Sequence, residues 1–335
     1  MNRHLVLLSI AQGLFLTNNV TFIAINGLVG LSLAPEAWMA TLPVMGYVVG
    51  GALSTGLVAK SQQRFGRKGS FQLGLLVALL SAALGAFAVL SQSFWLLVTA
   101  TVVAGYYSAN GQLYRFAAAE LCQPDYREKA VSLVMAGGLI GAVIGPNLAI
   151  QTKSILGMPF AGAYVALMVV AVLSMAVMSF ITFPPAPVVK ADDTGGRPLG
   201  EIMRQPVFVV AAMAAALGYG VMNLLMAATP LAMQVCGLSF EDTGWVLEWH
   251  VIGMFAPGFV TGHLIKRFGV LPIMGVGVLL NIACIAVALS GVDLHQFLWS
   301  MFLLGVGWNF LFTGSTTLSM QAYTPQEKNR AQAAI

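Results

Sequence analysis

Charge is what this chain has least of: only 8% of its 335 residues are Asp, Glu, Lys or Arg. Ordinary soluble domains carry roughly 25%, so a water-soluble globular protein is excluded. Cysteine is nearly as scarce. Cys122, Cys236 and Cys284 are too few and too scattered to form a disulfide framework. Clustered carboxylates, a nucleophile–base pair and a phosphate-cradling loop are also missing, so neither an enzyme nor a bound cofactor is expected. The net charge of +4 would suit a nucleic-acid binder. The basic residues, however, fall in alternate connections between apolar runs, which makes the expected partner a lipid bilayer and not nucleic acid.

What is present is apolar length. Hydrophobic residues make up 58% of the chain and the mean hydropathy is +0.84. A spanning helix needs about 20 mainly apolar residues. Ten such segments can be drawn, at roughly 5–28, 37–59, 69–90, 94–116, 130–151, 158–183, 206–233, 242–264, 270–290 and 295–320. The runs are continuous rather than alternating, which excludes a transmembrane β-barrel and leaves an all-α polytopic membrane protein. The first run is too long for a signal-peptide core and reads as the first spanning helix. With the N-terminus in the cytoplasm, fifteen of the sixteen basic residues fall on the cytoplasmic side and only Lys153 on the other, which is the orientation expected from positive charge.

The longest polar stretch, 184–205, contains Pro184-Pro185, Asp192-Asp193 and Gly195-Gly196 and reads as a cytoplasmic linker. It separates residues 1–183, with six segments, from 206–335, with four. The halves repeat. Arg64-Phe65-Gly66 returns as Arg267-Phe268-Gly269, 203 positions later, and the run from Pro124 to Ala130 returns from Pro325 to Ala331, 201 positions later. Duplicated six-helix halves are the layout of a secondary transporter. By that internal alignment the second half lacks its last two helices, and a truncated chain is expected.

One pair of segments carries a chemical pattern. Met222 and Met226 stand four apart in segment seven, and His250 and Met254 four apart in segment eight. Residues four apart share a helix face. Thioether sulfur and imidazole are ligands that suit copper. If the two helices faced each other, three sulfurs and one ring nitrogen would surround an ion, and these four residues are the candidate metal site. An intramembrane histidine is costly and points to function, though neutral packing of His250 is the plainer alternative. Glu248, on another face of the same helix, is a candidate for ion coupling. Arg115 and Glu120 read as gate or loop contacts.

The loop Lys60-Ser61-Gln62-Gln63-Arg64-Phe65-Gly66-Arg67-Lys68 resembles the signature between helices two and three of the major facilitator superfamily. Arg64, Gly66, Arg67 and Lys68 match, while Ala59 and Gln63 replace its Gly and Asp. Gly137, Gly141, Gly145 and Pro146 are similar to the superfamily's helix-five motif. The resemblance implies two six-helix halves and alternating access, with Arg64, Arg67, Lys68 and Arg267 as gating residues. Within the superfamily, the Met-x-x-x-Met and His-x-x-x-Met pair looks like the CcoA-type copper importers. That implies a monomeric importer in the bacterial cytoplasmic (inner) membrane, supplying copper to cytochrome oxidase assembly. Close relatives of that group resemble riboflavin transporters. A carrier of riboflavin or a drug-like molecule, with Tyr106, Tyr107 or Tyr114 against the substrate, is therefore the alternative. A copper sensor without flux, or a decayed fragment, is a third reading.

Overall fold

The computed structural model describes residues 2–184 and 196–334, and every regular element among them is helical. In chain order the helices are α1 (Arg3–Leu33), α2 (Leu42–Leu90), α3 (Phe94–Gly111), α4 (Tyr114–Glu120), α5 (Arg127–Ala136), α6 (Gly138–Thr152) and α7 (Ala161–Ser179). After the linker come α8 (Leu199–Met203), α9 (Pro206–Val235), α10 (Phe240–Phe255), α11 (Gly258–Phe268), α12 (Val270–Leu289), α13 (Leu294–Ser319) and α14 (Lys328–Ala333). All ten apolar segments are helical. Much of the linker, from Pro185 to Gly195, lies outside the described residues, and its end contains the short helix α8.

Among the described residues, seven stretches are long and apolar enough to cross a membrane. One of them, Trp38–Leu90, holds two of the expected segments. These two meet at Gly66, whose φ of +68° interrupts the helix. The repeated Gly269 has a φ of +88° where α11 gives way to α12. Left-handed backbone is cheap only for glycine, so the repeated Arg-Phe-Gly triplet marks one turn built twice. The Arg64 guanidinium lies 5.3 Å from the Phe65 ring centre and that of Arg267 5.2 Å from Phe268.

Three segments are broken where continuous helices were expected. Segment four ends its main helix at Gln112, segment five divides at Gly137, and segment eight divides at Ala256–Pro257. The last break follows from proline, which has no N–H to donate and clashes with the preceding turn. Asn309 covers it by donating from Nδ2 to the Met254 carbonyl at 2.6 Å, while its Oδ1 accepts from Thr261 at 2.7 Å.

The described residues form two compact units. One comprises Met1–Leu121, Ile140–Val188 and Gln332–Ala334, the other Cys122–Leu139, Val189–Ala331 and Ile335, in each case for the described residues within those limits. Residues 122–139, which belong to the linear first half, therefore group with the second unit. In the first unit Phe22, Ile25, Tyr47, Leu97, Tyr164 and Leu167 share an apolar core, and Gly141 and Gly145 let α6 lie close to α1 at Leu16 and Val20. In the second unit α9, α10 and α12 pack along α13, and α11 packs on α5.

Candidate functional site

His250 is fully buried on α10. Its Nδ1 stands 2.7 Å from the carbonyl oxygen of Met301 on α13. A carbonyl only accepts, so Nδ1 carries the proton and, in the neutral ring, Nε2 presents a lone pair. That Nε2 is buried without a hydrogen-bond partner among the described residues. The contact is possible because α10 and α13 cross on glycine. A Cβ added to Gly305 would lie 2.4 Å from the His250 carbonyl oxygen, and one on Gly253 would lie 2.8 Å from that of Phe302.

Met222 and Met254 are buried and Met226 is partly buried. Met226 packs on an apolar cluster of Met233, Val246, Cys284, Met301 and Leu304. Helices α9 and α10 each lie mainly along α13 and touch one another far less. The direct facing of segments seven and eight that would unite the four ligands is therefore replaced by an arrangement around α13. Met301 links the two neighbourhoods, its backbone bonded to His250 and its sulfur 3.2 Å from the Thr229 hydroxyl. Among the described residues no three His, Cys, Asp or Glu side chains converge on a metal-sized site. Any metal held here would depend on one imidazole and thioethers. Glu248 is exposed, away from the buried face that holds Val246 and His250.

A second constellation has no counterpart in the sequence reading. Trp308 on α13 stacks on Phe312 at 4.6 Å, meets Phe255 edge-on at 5.8 Å and lies 6.3 Å from Tyr219 of α9. Its indole N–H is buried with no acceptor among the described residues. In the first unit Phe15 meets Tyr107 and Tyr114 edge-on at 5.3 and 5.9 Å, and the Tyr107 hydroxyl has no hydrogen-bond partner among the described residues. Of the three tyrosines singled out above, Tyr107 and Tyr114 are fully buried and Tyr106 is half-buried. Tryptophan in mid-segment was the one available sign of the α13 cluster, since a buried indole normally finds an acceptor.

The four basic residues expected at the gate separate sharply. Arg67 is buried and forms a bidentate pair with Glu120, at 2.6 Å from Nη2 and 3.2 Å from Nε. It also donates to Gln62 and, at 2.6 Å, to Gln332. Glu120 thus supplies the carboxylate that Gln63 does not. Lys68 donates to the Ser179 carbonyl. Arg64 and Arg267 remain on the surface. In the second unit, Glu327 is buried and accepts from the backbone and guanidinium of Arg197 and from the Thr324 amide.

The hydrogen bond from Arg197 holds the Glu327 carboxyl down to about 2, against the opposing effect of burial. A depressed carboxylate stabilises the fold fully above its ordinary value of 4.5, and that contribution is lost as pH falls through about 2. Glu327→Gln is therefore expected to lower the melting temperature at neutral pH and to flatten the acid limb. Thermal unfolding of the purified protein, followed between about pH 5 and pH 2, checks both. An acid limb identical to wild type would assign the pH dependence elsewhere.

The fold and its repeat have counterparts among known proteins. A model of the Major Facilitator Superfamily matches residues 5–335. The chain is 37% identical to the riboflavin transporter RfnT of Brucella anthropi over 99% of its length and 84% of that relative. It is 26% identical to the uncharacterized MFS-type transporter YddS of Bacillus subtilis, covering 92% of this chain and 75% of that one. Among solved structures, the proton:xylose symporter XylE superposes with a TM-score of 0.79 at 15% identity, over 99% of this chain and 85% of the other. The human organic anion transporter MFSD10 gives 0.78 at 15%, over 99% and 88%. None of these names the copper importers that the Met and His pattern resembles, and the 37% relative carries the substrate that stood as the alternative. A family match along nearly the whole chain, a repeated Arg-Phe-Gly turn and two helical units agree: the chain belongs to the Major Facilitator Superfamily and is a membrane-spanning transporter.

Proposed function

We propose that this chain is a secondary transporter of riboflavin or a closely similar planar, hydrogen-bonding organic molecule, working by alternating access. The observation that carries the reading is 37% identity, sustained over 99% of the chain, to a riboflavin transporter. Buried aromatic faces with unspent donors support it. Ligand sites are mostly apolar and aromatic, with a few oriented polar groups. The Trp308 N–H and the Tyr107 hydroxyl have that character. In this reading the chain acts as a monomer, needs no resident cofactor and keeps its N-terminus in the cytoplasm of a bacterial cell.

Copper import is a second reading, favoured by one observation. The backbone carbonyl that fixes Nδ1 of His250 leaves Nε2 as a buried lone pair, as ligating histidines require. Met222, Met226 and Met254 would supply the soft atoms.

Uptake of labelled riboflavin and of radioactive copper, measured in the same cells against an empty vector, separates the two. Riboflavin accumulation is expected to exceed the vector control, with copper at the control level. Trp308→Phe, which keeps the ring and removes the donor, is expected to raise the KM for riboflavin about tenfold, the effect of one lost buried hydrogen bond. Copper uptake that vanishes in Met226→Ala/His250→Ala, with riboflavin at vector level, would overturn the proposal in favour of copper. Copper binding to the purified protein without uptake of either solute would make it a sensor.

A further inference from the structure

The turn between the two arms of α2 carries four basic residues, and the structure uses only two of them internally. Arg67 is buried against Glu120, and Lys68 donates to the Ser179 carbonyl. Lys60 and Arg64 are exposed and make no ion pair among the described residues. These two instead line a groove of about 420 Å³.

The walls of that groove are apolar and come from three helical stretches. Leu57 stands on the first arm of α2, Leu73 and Val77 on the second, and Tyr106 on α3. Leu57, Lys60 and Arg64 follow one another at helical spacing, so the apolar wall leads directly to the two cations. Leu57, within the apolar segment, is 58% exposed, which in a bilayer means contact with lipid. The groove therefore has an acyl-chain half within the apolar span and a cationic half at its aqueous end. Basic pockets between spanning helices at the membrane surface suit anionic head groups.

We propose that this groove binds an anionic phospholipid, with its phosphate between Lys60 and Arg64 and an acyl chain along Leu57, Leu73 and Val77. The Arg64 guanidinium, resting 5.3 Å from the centre of the Phe65 ring, is held at the rim with its donors available. The internal repeat provides a comparison within the same chain. The position corresponding to Arg64 is Arg267, also over a phenylalanine, but the position corresponding to Lys60 is His263. The paired cations belong to the first half alone.

The test is native mass spectrometry of the purified full chain in detergent, titrated with phosphatidylglycerol or phosphatidylcholine. Wild type is expected to bind phosphatidylglycerol more tightly. Lys60→Gln/Arg64→Gln is expected to lose about thirtyfold in that affinity, which corresponds to about 1 kcal/mol per basic side chain. Binding of phosphatidylcholine should not change. Arg267→Gln, which removes one exposed charge elsewhere, should bind phosphatidylglycerol like wild type. Val77→Trp, which fills the acyl wall and leaves the charges, should also weaken binding, and it keeps the test open if the double variant does not fold. Wild-type affinity in Lys60→Gln/Arg64→Gln or in Val77→Trp would overturn the proposal. So would an equal loss in Arg267→Gln, or full displacement of the lipid by glycerol 3-phosphate, which would make the groove a site for a soluble phosphate.

Discussion

Arg67→Ala is expected to abolish transport and to destabilise the first unit by about 3 kcal/mol, toward the lower end of the range for a broken buried ion pair. The size follows from what is left behind. Arg67 retains 3% side-chain exposure and Glu120 21%, so removing the guanidinium takes a bidentate donor from a largely buried carboxylate. It also frees Gln62 and Gln332 from a shared donor. Glu120→Gln should cost less, because the amide oxygen of Gln can still accept from the buried guanidinium. The double variant Arg67→Ala/Glu120→Gln should recover part of the loss, the signature of direct coupling. Thermal unfolding of purified protein, with uptake measured in parallel, reads all three. Additive losses in the double variant would show that the two side chains act separately.

The second large effect is steric. Gly105→Leu is expected to yield no folded protein, a cost above about 4 kcal/mol. A Cβ at position 105 would sit 2.2 Å from the Gly50 carbonyl carbon and the Gly51 nitrogen. Its neighbours are backbone and cannot rotate aside, whereas ordinary overpacking is relieved by side chains at about 1–3 kcal/mol. The contact is reciprocal, since a Cβ on Gly50 would meet the Val102 carbonyl oxygen at 2.1 Å. Small residues at such crossings let spanning helices approach closely. Gly275→Ala is the control. Nothing lies within 4 Å of a Cβ there, and its effect on stability should stay under about 1 kcal/mol. Membrane abundance and size-exclusion profiles of the two variants decide the matter. A monodisperse Gly105→Leu protein would mean that α2 and α3 can separate at this crossing.

Each of the ten apolar segments was readable because spanning length and hydropathy are properties of consecutive residues. The repeat was readable for the same reason, and Gly66 and Gly269 show why its triplet ends in glycine: both turns need positive φ. The division of segment eight was half legible. Pro257 announces a break, but only the fold supplies Asn309, 55 positions from Met254, to cover the carbonyl exposed there. Gln63 stands where the superfamily loop has Asp, so the loop itself offers no carboxylate to its arginines. The carboxylate comes from Glu120, 53 positions beyond Arg67.

Sequence alone determined that this protein spans a membrane, in two related sets of helices, and which turns repeat. Those conclusions rest on run length, charge placement and local backbone geometry, all of which are encoded by neighbours along the chain. The partners of His250, Arg67 and Trp308 were decided by tertiary structure alone. Periodicity specifies which face of a helix is apolar, but not which other helix covers that face. Met222, Met226, His250 and Met254 were chosen by spacing within two segments, and spacing cannot show that α13 lies along both. With Met301 beside His250 and Trp308 two turns farther along α13, the chemistry of the second unit is organised by a helix whose own sequence carries no motif.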